Sequence, residues 1–310
     1  MKKKLFIEID YIVLGYILWI GIMITVGFNR IEHPLSNLLE LALFTGGVVG
    51  LIYLNSVIRN PILDLIRNVY PLPLAAYFFE GSMVTNRVFF GGFIDPWFQK
   101  IEQIMWGYQP SIMWGVNYDY GWLQEIMHFA YFAYYPLILI TPIYLYFKQK
   151  ESFKEFVFTT SAVFYICFFI FSWLPVIGAR AFSPSFIERF PEIGKYISYN
   201  TIGFDAHAVT TSYRYGLFTR IMAYIYTMSP HAGGAFPSSH VAVAVSITIS
   251  IYRHIPKIIW FVIPIVFLLC VSTVYCHYHY LIDAIGGLII AWIGYFGALK
   301  FYHTKVTTLA

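Results

Sequence analysis

The feature that most limits how this chain can fold is a succession of apolar runs, each near the roughly 20 residues that an α-helix needs to cross a bilayer. Clear runs lie near 10–28, 37–58, 124–147, 155–175, 257–276 and 280–299. Two are weaker: 69–85, "VYPLPLAAYFFEGSMVT", carries Pro71, Pro73 and Glu80, and 237–252, "PSSHVAVAVSITISIY", is short. Lipid offers no water to an unpaired N–H or C=O, so each run has to satisfy its backbone internally, as a helix. Composition agrees: 59% hydrophobic residues, 12% charged residues and a mean hydropathy of +0.65 exclude an ordinary soluble domain. The expected fold is all-α, a polytopic transmembrane helical bundle of about eight spans.

Charge placement selects among span counts. With eight spans and a cytoplasmic amino terminus, Lys2, Lys3, Lys4, Arg59, Arg67, Lys148, Lys150, Lys154, Arg253, Lys257, Lys300 and Lys305 all face the cytoplasm. Dropping one weak span would invert "KQKESFK" and "RHIPK" to the outside. Both termini are therefore expected inside, with long loops 86–121 and 176–236 outside. The start "MKKKLFIEIDYIVLGYILWIGIMITVG" has the charge order of a signal peptide, but Glu8 and Asp10 interrupt it and no small-residue cleavage site follows, so a retained helix is expected. The only dense basic cluster is that amino-terminal triplet, which argues against a nucleic-acid partner. Cys167, Cys270 and Cys276 sit in or beside apolar segments and imply no disulfide framework.

Two stretches carry chemistry. In "SPHAGGAFPSSH", Gly233 and Gly234 free the backbone, Pro237 suits a first helical turn, and Ser238 and Ser239 add hydroxyls among unpaired amides. Helix amino termini attract anions, so this is a candidate phosphate site; the same residues also fit a capped helix with His240 at the interface. In "YCHYHYLID", His279 and Asp283 are four apart and share a helix face, whereas His277 points elsewhere. Asp283 can then accept from one nitrogen of His279, making the other a better nucleophile or base. A zinc reading of "HYH" is disfavoured, because ligands two apart diverge on a helix.

In order and content these stretches resemble the type 2 phosphatidic acid phosphatase superfamily. Its three motifs are Lys-x6-Arg-Pro, Pro-Ser-Gly-His and Ser-Arg-x5-His-x3-Asp. Arg180 matches the first, with Trp173 and Ala181 replacing Lys and Pro; Pro237, Ser238 and His240 match the second, with Ser239 for Gly. Ser272, His279 and Asp283 match the third, with Thr273 for Arg. The departures, with "RNVYPLPLAAYFFE" and "EIMHFAYFAYYP", resemble the inositol phosphorylceramide synthase-like branch. The resemblance implies a six-helix catalytic core over 69–300, preceded by a pair of transmembrane helices in 1–68 and followed by a tail, 301–310. It implies His279 as nucleophile toward phosphorus, His240 as acid and base, Asp283 as the partner of His279, and Arg180, Ser238, Ser239 and His277 as phosphate contacts. It also implies a phosphohistidine intermediate, a membrane lipid substrate with a phosphate-containing head group, and neither metal nor cofactor. Arg214, Arg220 and His231 are further candidates for the missing positive charge.

Glu125 and His128 are three apart on one helix face and fit a head-group contact or a mutual pairing; Glu80 has no partner evident in the sequence. Tyr131, Tyr134 and Tyr135 fit packing better than a lipid groove. Gly46 and Gly50 form a small-xxx-small stripe, which leaves the oligomeric state open. A transporter also places ionisable residues at membrane depth, but it tends to show related halves with matching interrupted helices, and no internal repeat is visible.

Overall fold

A computed structural model describes residues 5–182, Glu188, 216–227 and 233–308, and among these residues there are helices, turns and loops but no strand. Lys2, Lys3, Lys4, Arg214 and His231 lie outside the described residues. The helices are α1 (Glu8–Val26), α2 (Pro34–Val57), α3 (Pro61–Val69), α4 (Pro71–Thr85), α5 (Asp95–Trp106), α6 (Pro110–Asn117), α7 (Gly121–Phe132) and α8 (Tyr134–Lys148). They continue with α9 (Lys150–Phe171), α10 (Leu217–Thr227), α11 (Ser239–His254), α12 (Ile259–Tyr275) and α13 (Leu281–Thr308). Prolines stand in the first turn of each of α2 to α6, where a missing N–H costs nothing.

Six segments are long and apolar enough to cross a membrane: Glu8–Val26, Pro34–Val57, Gly121–Lys148, Lys150–Phe171, Pro256–Tyr275 and Leu281–Thr304. The chain is thus a multi-pass membrane protein. The two weaker runs form shorter helices, α4 with 15 residues and α11 with 16. One expected helix is divided: the run near 124–147 breaks at Ala133 into α7 and α8. Pro136 has no N–H to donate to the Phe132 carbonyl, so the ladder cannot continue there. The stretch 86–121, expected as a loop, holds α5 and α6.

α9 is the central post, packed by α4, α8, α11 and α13. It is apolar nearly all round, with Phe156, Val157, Val163, Cys167 and Phe171 fully enclosed, as a core helix should be. α11 presents Ala242, Ala244, Ser246 and Ser250, small side chains that let its neighbours approach closely. α1 is bound to the core: Asp10 pairs with Arg67 at 2.5 Å and accepts from the Tyr70 hydroxyl at 3.0 Å, and Tyr16 stacks on Tyr165. α2 lies outermost, and its Gly46 and Gly50 face no neighbour within 4 Å.

Candidate active site

The amino terminus of α11 is set against that of α13 by two glycines. A Cβ on Gly287 would come within 2.5 Å of the Ser238 carbonyl, and one on Gly286 within 2.7 Å of the Phe236 ring. This close approach lets the Ser238 N–H donate to the Asp283 carbonyl at 2.9 Å. Ser238 is the N-cap, its Oγ accepting from the Val241 N–H at 3.4 Å while its own hydroxyl hydrogen stays available to donate. Ser239 follows, buried, at the first helical position, where amides have no intrahelical acceptor.

His279 is placed by a turn, not by a helix face. Residues 276–280 are non-helical and α13 begins at Leu281, so the four-residue spacing to Asp283 acts across a helix start. The Thr273 carbonyl accepts from the N–H groups of both Tyr278 (3.1 Å) and His279 (2.9 Å), closing the turn. The Nδ1 of His279 lies 3.0 Å from the Ala235 carbonyl oxygen and 3.5 Å from Asp283 Oδ2. Both are acceptors, so Nδ1 carries the hydrogen and Nε2 keeps its lone pair. Burial lowers the His279 pKa to about 4, with the Ala235 carbonyl opposing, so the ring is neutral at ordinary pH. Asp283 is wholly buried; its Oδ2 accepts from the Tyr280 N–H at 2.8 Å, while Oδ1 has no hydrogen-bond partner.

His240 faces this turn from the first turn of α11, with its ring centre 6.0 Å from that of His279. The rings of Tyr131 and Tyr134 lie 4.9 and 4.7 Å from it, and its buried Nδ1 has no hydrogen-bond partner. Tyr131 and Tyr134 are buried, as packing residues would be, yet what they pack is a candidate catalytic histidine.

Arg180 sits in a short 3-10 turn, Ala179–Phe182, with its guanidinium carbon 5.0 Å from the Tyr278 ring centre. Tyr278 in turn lies 4.4 Å from Tyr131, which contacts His240. His277 turns the other way: at φ 62° it points its Nδ1 at the Ser111 carbonyl, 2.5 Å away, and it packs against Gly115 of α6. Burial lowers its pKa to about 4, the Ser111 carbonyl opposing. The structure therefore brings together His279, Asp283, His240, Ser238 and Ser239, sets Arg180 on the adjoining wall, and directs His277 to α6. Trp173 stacks on Phe89 at 4.3 Å and on Trp19 at 5.6 Å, and Thr273 bonds back to the Cys270 carbonyl at 2.8 Å, so neither substituted position supplies a cation.

Glu125 takes a capping role, accepting from the N–H groups of Phe218 (3.0 Å) and Thr219 (2.9 Å) at the start of α10. The Nδ1 of His128 lies 2.7 Å from the Gln124 carbonyl. Arg220 belongs to α10.

Two carboxylates that the sequence did not single out complete the site. Asp95, at the start of α5, accepts from the Ile177 N–H (3.0 Å), the Gly178 N–H (2.9 Å) and the Tyr280 hydroxyl (3.0 Å). Glu102, one to two turns further along α5, accepts from the Ile282 N–H at 3.0 Å. Burial pushes each up to about 7, the amide donors opposing and the charge of Asp283 adding. In "FIDPWFQKIEQ" nothing distinguishes them from the acids of a surface helix.

A multi-pass helical bundle that joins a paired histidine turn to a serine-capped helix start defines the class, and residues 97–297 match the sequence model of the PAP2 superfamily. The chain belongs to that superfamily, whose matched segment contains Arg180, His240, His279 and Asp283 and covers about two thirds of the chain. Membership points to a phosphatase-type enzyme with a phosphate-bearing substrate. Neither a curated protein nor a solved structure matches the chain.

Proposed function

We propose that this protein is an integral-membrane lipid phosphate phosphatase or phosphotransferase that works through a phosphohistidine on His279, without a metal. One observation carries the reading: the Nδ1 of His279 is held by the Ala235 carbonyl and Asp283, which leaves a neutral Nε2 as nucleophile beside His240 and a capped helix start. A lipid phosphate lies over the first turn of α11, held by its amides, Ser238 and Ser239, and by Arg180 from the side. Nε2 of His279 attacks phosphorus, and the bond to the lipid oxygen breaks. His240, protonated, gives that oxygen its proton. Neutral His240 then takes a proton from the next nucleophile as that nucleophile displaces His279 from phosphorus. Water yields inorganic phosphate; an alcohol yields a new phospholipid. Fixed donors count most in the transition state, where charge spreads over the phosphoryl oxygens. His277, with its Nδ1 on the Ser111 carbonyl, adds little to phosphate binding in this proposal.

Substitutions at four motif positions, Trp173, Ala181, Ser239 and Thr273, support the transfer side of this reading, the inositol phosphorylceramide synthase-like branch. Purified protein is incubated with a lipid phosphomonoester labelled at phosphorus, with and without a lipid alcohol as acceptor. Release of phosphate regardless of acceptor supports hydrolysis, and an acceptor-dependent labelled lipid supports transfer. Absence of both, with no label on the protein, overturns the enzyme reading.

The site faces the extracytoplasmic side in this proposal, both termini being cytoplasmic. Lys148, Lys150, Lys154, Arg253 and Lys257 cluster at the ends of α8, α9, α11 and α12 opposite the candidate site, as the positive-inside bias expects. An engineered cysteine at Tyr120, exposed at the site end, should react with an impermeant reagent on intact cells; labelling only after permeabilisation inverts the topology.

A further inference from the structure

We infer that Asp95 and Tyr280 form a positioning pair that closes a ring of hydrogen bonds around His279 and sets the Arg180 loop against it. The inference rests on the reading above, in which Arg180 and His279 act on one phosphoryl group. The ring can be followed bond by bond. Nδ1–H of His279 donates to the Ala235 carbonyl (3.0 Å), and the Ala235 N–H donates to the Val176 carbonyl (2.9 Å). The next two N–H groups of that loop, Ile177 and Gly178, donate to Asp95 at 3.0 and 2.9 Å. The Tyr280 hydroxyl donates to the same carboxylate at 3.0 Å, and Tyr280 is the residue after His279. Its N–H also donates to Asp283, so one tyrosine holds the acid beside His279 and the acid that carries the Arg180 loop.

The loop is also held by the Ile94 N–H, which donates to the Pro175 carbonyl at 3.0 Å, and by burial of Val176, Ile177 and Ala179, but its path over the His279 turn depends on one glycine. Gly178 has φ 94°, a conformation L side chains rarely adopt, and a Cβ there would come within 2.5 Å of the Tyr278 carbonyl oxygen. The segment that leads to Arg180 therefore lies directly over the backbone of the His279 turn, and the Asp95 carboxylate is the shared acceptor between them. Asp95 and Tyr280 are both fully buried, so the three bonds at the Asp95 carboxylate are not exchanged for water. Asp95 precedes the matched family segment by two residues, so the pair joins that segment to the chain ahead of it.

A positioning role differs from plain support in what it changes. Tyr280→Phe removes one oxygen from the ring and should lower kcat about 10-fold with KM within threefold and Tm nearly unchanged. Asp95→Asn should lower kcat further, and the double variant should match Asp95→Asn alone, since both cut the same link. Tyr295→Phe, a matched buried tyrosine of α13 that bonds Ser250 near the other end of α11, should keep wild-type kcat. Single-turnover labelling of the protein, normalised to folded material, should slow with kcat. A wild-type labelling rate in Tyr280→Phe, or losses that follow folded yield alone, overturns the pair while leaving an inactive His279→Ala to support the chemistry. A fully active His279→Ala overturns the proposed function itself.

Discussion

α11 has a histidine and a buried carboxylate at each end, and the two ends differ in what is left unbonded. At the carboxyl end Glu155 is saturated: Arg253 at 2.5 Å and His254 at 2.9 Å share Oε1, and His303 reaches Oε2 at 3.1 Å. Arg253 also donates to the Tyr295 hydroxyl at 3.0 Å. This knot ties α9, α11 and α13 together. At the amino end Asp283 keeps Oδ1 open, His240 keeps Nδ1 open and Glu102 keeps Oε2 open, all buried. Proximity of histidine to carboxylate is common to both. Unused bonding capacity in an enclosed place distinguishes the end suited to binding and moving protons from the end that only holds helices.

Four substitutions and one pH profile sharpen or break this contrast. The largest effect is expected for His279→Ala, which should abolish labelling of the protein and reduce turnover by about 10³-fold or more, as loss of a nucleophile does. The wild-type nucleophile has an acid limit. Since burial lowers the His279 pKa from 6.5 to about 4, kcat/KM should hold down to about pH 4 and fall below it as the ring protonates. The same depressed value means that its contribution to stability is present above pH 6.5 and is lost as pH falls toward 4. Activity that already fails near pH 6.5 would contradict the buried environment of His279.

His240→Ala comes next, with a loss of about 10²–10³-fold toward a lipid phosphate. With a phosphate ester whose leaving group needs no proton, the first step should recover while the second stays slow. Label should therefore accumulate on the protein; a variant that fails to accumulate it places His240 outside the acid–base role.

At the other end Glu155→Gln should cost stability by about 2 kcal/mol, below the ~3–5 kcal/mol of a wholly buried pair because Arg253 and His303 are partly exposed. Turnover per folded molecule should not change. A selective loss of turnover would remove the distinction between the two ends. The smallest effect is expected for His277→Ala, less than about 10-fold in kcat/KM with labelling retained, because its Nδ1 is committed to Ser111. Loss of labelling there with retention in His279→Ala would exchange the two histidines.

Much of the architecture was legible in sequence. A 20-residue apolar run has few ways to exist in lipid, so six long helices could be read from the lengths of the apolar runs, and Pro237-Ser238 marked the start of α11. The break at Ala133 was also in view through Pro136, although apolarity across 124–147 concealed it. The pairing of His279 with Asp283 was anticipated from helical spacing, whereas the structure reaches 3.5 Å by a turn closed on the Thr273 carbonyl. His277 and His279 are separated by the same turn: a left-handed residue at 277 sends one ring to α6 and leaves the other to Ala235.

What the sequence determined by itself is the set of pieces: which segments become membrane helices, where α11 begins, and which histidine has an acid four residues on. These depend on local spacing and hydropathy, which a single chain displays. Tertiary structure alone decided the tautomer of His279, through a carbonyl 44 residues away, and the rings beside His240. It also decided the meeting of Asp95 with Ile177, Gly178 and Tyr280, up to 185 residues apart. Hydrogen bonds between loops leave no periodic trace in the chain, because each needs one donor and one acceptor in space and imposes nothing on the residues between them.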